Sequence, residues 1–80
     1  MPKADSVSPQ EQLQALLREV RADANLTQTD VARRLGQPQS FVSKYESGER
    51  RLDILELRQV CQAIGIPLPE FIRRLEEALR

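Results

Sequence analysis

Histidine and tryptophan are absent from this chain of 80 residues, and cysteine occurs once, as Cys61. With no imidazole and one thiol, there is no Ser/His or Cys/His pair for nucleophilic catalysis and no ligand set of the kind that holds zinc. Glycine occurs three times, never in a phosphate-cradling loop, and no motif pairs two carboxylates for proton transfer. The composition therefore predicts a protein without enzymatic activity, cofactor or metal. A lone cysteine gives no disulfide framework. The opening MPKADSVSPQ holds no apolar run that reads as a secretory signal, and no stretch is apolar for long enough to span a bilayer. The expected setting is the cytoplasm, close to the nucleoid, with no membrane partner.

Net charge is also lacking: twelve Lys and Arg balance twelve Asp and Glu. Bulk electrostatic attraction to nucleic acid needs a basic surplus, so only a locally basic face would serve that purpose. Arg33, Arg34, Lys44, Arg50 and Arg51 do cluster in the middle of the chain. Several acids lie elsewhere, at Asp5, Glu11, Glu70, Glu76 and Glu77. Eighty residues suffice for one domain but bury a modest core, and a second copy of the chain is the simplest way to enlarge it.

No segment alternates apolar and polar residues with a period of two, so no strand is expected. Helical punctuation is frequent instead. Residues 1–7 read as a mobile arm, and residues 8–80 as a single domain. Ser8, Pro9 and Glu11 form a helix start, after which Leu13, Leu16, Leu17 and Val20 recur at helical spacing as far as Asp23 or Ala24. Asn25 ends that helix. Thr27 and Asp30 form a capping box for a second helix, with Leu26 and Val31 placed as a hydrophobic staple. The second helix ends at Gly36, Pro38 opens a third, and Gly48 stops it. Asp53 and Glu56 start a fourth, which turns Leu57, Val60, Cys61 and Ile64 inward and closes at Gly65. Pro67 to Pro69 read as a rigid turn, and a fifth helix is expected over about residues 70–79. Its apolar side, Leu68, Phe71, Ile72, Leu75 and Leu79, offers more than one face of a small bundle needs, which suggests a dimer interface.

The most informative segment is Gln28 to Ser47, QTDVARRLGQPQSFVSKYES. It reads as two short helices held at a fixed angle, a helix-turn-helix. Ala32 suits the closest approach of the helices, and Gly36 suits a left-handed exit from the first. Val31, Leu35, Val42 and Tyr45 supply apolar contacts. Gln39, Ser40, Ser43, Lys44 and Ser47 remain as an exposed strip of hydrogen-bonding side chains.

Over about residues 10 to 75 the chain resembles the Cro and phage-repressor type of helix-turn-helix domain, the xenobiotic-response-element family. The string LTQTDVARRLGQPQSFVSKYESGERRLD, Leu26 to Asp53, carries the resemblance. It implies an all-α, five-helix, lambda-repressor-like domain that binds double-stranded DNA. By the same resemblance, Gln28 bonds a backbone phosphate and braces Gln39, which is matched to adenine, while Lys44 suits guanine. Ser40 and Ser43 suit several bases, Ser47 and Arg50 suit phosphates, and Arg21 and Glu46 match a pair tying the first helix to the recognition helix. Two positions depart from the family pattern. Gln37 is polar where relatives place an apolar turn residue, and Phe41 is aromatic where a small polar residue is common. Phe41 faces either a thymine methyl or the neighbouring helix.

The expected function is a homodimeric transcriptional regulator, of repressor type, acting on a near-palindromic operator. Two alternatives stand beside it. One is an antitoxin or restriction–modification controller of its own operon, with a toxin or another protein as partner. The other is a protein-interaction adaptor that does not bind DNA.

Overall fold

The computed structural model describes residues 7–80, so the expected N-terminal arm falls almost wholly outside the described residues. Five helices follow in order: α1 (Pro9–Asp23), α2 (Gln28–Leu35), α3 (Gln39–Ser47), α4 (Ile54–Ile64) and α5 (Leu68–Ala78). No strand occurs among the described residues.

Local chemistry sets most boundaries. Ser8, Thr27 and Asp53 each accept a bond from the amide three residues on, and Glu11, Asp30 and Glu56 each accept from the cap amide. Each box satisfies two amides that the first turn leaves without helical partners. At the other end of α2, Gly36 adopts φ 68°, and the Gln37 amide reaches back to the Ala32 carbonyl at 2.9 Å. An L side chain in that left-handed conformation costs about 1–2 kcal/mol. Asn25, with φ 60°, does the same for α1, a conformation that Asn tolerates better than most residues.

The fifth helix begins at Leu68, two residues before the sequence pattern placed it. Pro67 is the cap and Pro69 lies in the first turn, where its missing N–H leaves no helical bond unmade. The prolines therefore start the helix rather than form a separate turn.

α2 packs against α3 and α4, α1 against α3 and α5, and α4 against α5. Leu17, Val31, Val42, Tyr45, Val60, Cys61 and Phe71 are buried at the centre. Phe71 anchors α5, while Leu68, Ile72 and Leu75 are half-buried against the same core. Burying a large apolar side chain contributes about 1.5–3 kcal/mol, and these packed faces hold α2 and α3 at their angle.

Candidate nucleic-acid interface

α3 carries an outer strip. Gln39, Ser40, Lys44 and Ser47 are exposed, Ser43 is half-buried, and Val42, Tyr45 and Glu46 point inward. A buried glutamate on a helix otherwise anchored by apolar residues requires partners, and here three residues supply them, with three bonds to the carboxylate and one to the backbone carbonyl. Arg21 on α1 donates Nε to Glu46 Oε2 at 2.7 Å and Nη2 to Oε1 at 3.1 Å. Gln28 Nε2 on α2 donates to Oε1 at 3.0 Å. Arg18 Nη1 donates to the Glu46 backbone carbonyl at 2.6 Å. Arg21 Nη1 also holds the Leu26 carbonyl at 2.9 Å, in the link before α2. One buried carboxylate thus joins α1, α2 and α3. The hydrogen bond to Glu46 raises the Arg21 pKa above its ordinary value, against an opposing effect of burial.

The chain of bonds continues outward. Gln39 Nε2 donates to Gln28 Oε1 at 2.6 Å, so Gln28 holds Glu46 with one end of its amide and Gln39 with the other. Gln39 keeps its second N–H and its carbonyl oxygen, a donor and an acceptor side by side, the pair that matches adenine N7 and N6. Lys44 is free at the surface, and Ser40 stands beside Gln39. The Ser47 hydroxyl donates to the Lys44 carbonyl at 3.2 Å and contacts Glu49 Oε2 at 3.4 Å.

Arg50 and Phe41 lie at the end of the strip in a cluster of their own. Arg50 donates Nη1 and Nη2 to the Glu56 carboxylate at 3.1 and 2.7 Å, and its guanidinium lies 4.6 Å above the Phe41 ring. Phe41 is half-buried and meets Tyr45 edge to face, with centroids 5.7 Å apart. The contacts of Phe41 are thus with Tyr45 of its own helix and with Arg50 in the loop after it. Arg50 reaches a phosphate only by giving up part of its pairing with Glu56, whereas Arg51 beside it is exposed.

Sequence reasoning missed two features. Arg18 follows from its place three residues before Arg21, on the same face of α1. The Arg50–Glu56 pair has no such signal, because the loop between them sets its geometry. Among the described residues, no group of His, Cys, Asp or Glu is placed to hold a metal ion, and no helix is long and apolar enough to cross a membrane.

A helix-turn-helix family model matches residues 17–71, from the middle of α1 into α5. A solved XRE-family like protein from Pseudomonas syringae pv. tomato str. DC3000 is 45% identical, over 86% of this chain and 84% of that one, with a TM-score of 0.81. The chain belongs to the XRE family of helix-turn-helix proteins. Its five-helix architecture is that of an XRE-type DNA-binding regulator. The clp gene regulator ClgR from C. glutamicum superposes with a TM-score of 0.81 at 26% identity, covering 98% of this chain and all of that one, 100%. The restriction–modification controller C.Esp1396I superposes with a TM-score of 0.82 over 89% of this chain and 92% of that one. At 18% identity, that likeness extends to the fold alone. No curated protein sequence matches the chain significantly.

Proposed function

We propose that the protein is a sequence-specific transcriptional regulator that binds double-stranded DNA in the cytoplasm as a homodimer, each copy setting α3 in the major groove at one half of a near-palindromic operator. The observation that carries this reading is the hydrogen-bonded chain Arg21–Glu46–Gln28–Gln39. It fixes the first exposed side chain of α3 while leaving its base-matching groups free. A surface amide that only needed water would not require a buried carboxylate behind it.

In this reading Gln39, Ser40, Ser43 and Lys44 face base edges, and Gln28, Ser47 and the loop arginines Arg50 and Arg51 face phosphates. Half-sites then lie about 34 Å apart, one turn of the duplex. Zero net charge fits a protein whose single copy binds weakly and whose pair binds well, because linking two modules multiplies affinity without new contacts. The second copy docks along α5, where Leu79 is 41% exposed and Leu68, Ile72 and Leu75 present their outer halves. Ile54 and Leu55, 59% and 71% exposed at the start of α4, add apolar surface for the same purpose.

Selection of bound sequences from a random double-stranded pool, at near-physiological salt, tests the reading. Enrichment of a palindrome is the expected result. Weak binding with no enrichment at any salt would refute it and favour an adaptor that uses the fold for protein contacts.

A further inference from the structure

We infer that Arg18, outside the helix-turn-helix itself, holds a DNA backbone phosphate in the groove between α1 and α3; this rests on the DNA-binding reading above. Arg18, Gln28, Ser43, Glu46 and Ser47 line that groove, which opens beside the exposed strip of α3. Three observations converge on it.

The first is position. Arg18 and Arg21 share a face of α1, yet Arg21 turns its guanidinium into the buried Glu46 carboxylate while Arg18 stays exposed. The second is anchoring. Arg18 Nη1 is fixed at 2.6 Å to the Glu46 carbonyl, close to the C-terminal end of α3, where the helix dipole favours a cation. One of the five guanidinium N–H groups is used there, and four remain. An exposed arginine tied down in this way loses little further side-chain freedom when it binds an anion, unlike one that swings freely in solvent.

The third observation is the company it keeps. Gln28 and Ser47 border the same groove: Gln28 keeps one amide N–H beyond the one it gives Glu46, and the Ser47 hydroxyl adds a second donor on leaving the Lys44 carbonyl, to which it is bound at 3.2 Å. The Glu46 carboxylate also lines the groove, but its side chain is 3% exposed and is bound to Arg21. Glu49 reaches the Ser47 hydroxyl only at 3.4 Å, a contact that a phosphate oxygen replaces. Among the residues that line the groove, Arg18 alone carries a charge not paired within it, on the α1 side of α3, while the exposed Glu49 stands at the opposite, Ser47 edge. A phosphate there fixes the register of α3 in the major groove and carries no base preference.

The test uses the full chain, a labelled duplex of the selected sequence and a salt series read by fluorescence anisotropy. Arg18→Gln removes the charge and keeps a donor for the Glu46 carbonyl; Arg18→Lys keeps the charge. With two copies on the duplex, the slope of log affinity against log salt should flatten by about 1.8 in Arg18→Gln, about 0.9 for each copy, and hold its wild-type value in Arg18→Lys. The deficit of Arg18→Gln then shrinks about 12-fold between 50 and 200 mM salt. Base preference in a repeated selection should not change. An unchanged slope in Arg18→Gln, with wild type binding its duplex normally, overturns the assignment and leaves the DNA reading intact. Failure of wild type to bind any duplex overturns the DNA reading itself. The wild-type protein gives a second measurement that needs no stable variant: the Arg18 guanidinium NMR resonances shift when DNA binds, and stay in place if Arg18 only braces α3.

Discussion

Replacing Glu46 by Gln tests the central claim that one buried carboxylate sets the recognition helix. The carboxylate accepts two bonds from Arg21 and one from Gln28. Gln has the same size, but one of its two terminal atoms is a donor. Keeping its oxygen toward Gln28 and Arg21 Nη2 turns the amide nitrogen toward the Arg21 Nε–H. The variant therefore loses a charge pair and sets two donors face to face. Removing one partner of a fully buried pair costs about 3–5 kcal/mol. Here the Arg21 side chain is still 19% exposed and retains the Leu26 carbonyl, which places the cost nearer about 2–3 kcal/mol. A domain of this size loses about 4–8 °C per kcal/mol, so a fall of about 10–20 °C in melting temperature by circular dichroism is expected. Arg21→Met should cost a similar amount. The double variant leaves neither charge unpaired and should be less destabilised than the two singles summed, by at least about 1 kcal/mol. Base selection adds a functional readout: if Gln39 and Lys44 read bases as proposed, Glu46→Gln should relax preference at the position facing Gln39 more than at the one facing Lys44. A melting shift under about 3 °C, or strict additivity in the double variant, would refute the reasoning.

Four further predictions follow from individual contacts. Lys44→Ala should relax base preference at one position of the selected motif and cost about 1–3 kcal/mol there; a uniform loss across all sequences would assign Lys44 to phosphate. The buried Tyr45 hydroxyl has no hydrogen-bond partner among the described residues, so Tyr45→Phe should leave the melting temperature unchanged or raise it by the equivalent of about 1 kcal/mol, and a clear fall would reveal a partner. The Arg50 hydrogen bond holds the Glu56 carboxyl below the usual carboxylate range, and bonds from Thr27 do the same for Asp30. Both groups are depressed on folding, so they stabilise the protein above the ordinary carboxylate pKa and cease to do so as pH falls through their lowered values; melting temperature should be flat near neutrality and decline below about pH 4.5, the ordinary Glu value. Burial pushes the Cys61 thiol up from 9.0 to about 11, which leaves about a hundredfold less thiolate at pH 8; a thiol reagent should therefore label Cys61 slowly in the native protein and rapidly in denaturant, and rapid native labelling would contradict its burial.

What the sequence discloses about this fold is what acts over three or four residues. The boxes Ser8/Glu11, Thr27/Asp30 and Asp53/Glu56, and the stops at Asn25, Gly36, Gly48 and Gly65, are local chemistry, and each marks a helix end. The start of α5 was misplaced for the same reason: two prolines one residue apart look like a turn, and only tertiary packing of Phe71 shows that the helix already includes Leu68. The site divides along the same line. The exposed strip of α3 follows from helical spacing, but what aims it lies far away in the chain, 25 residues from Arg21 to Glu46 and 28 from Arg18. Composition misleads at this scale. Zero net charge argues against a DNA surface, yet the strip from Gln39 to Ser47 carries one acid, Glu46, and that acid is buried against Arg21. From Gln39 to Lys44 the outer face of α3 therefore presents no carboxylate, because the one its sequence contains has been turned inward, where it links the three helices that hold that face in place; the nearest exposed acid, Glu49, stands past the end of the helix beside Ser47.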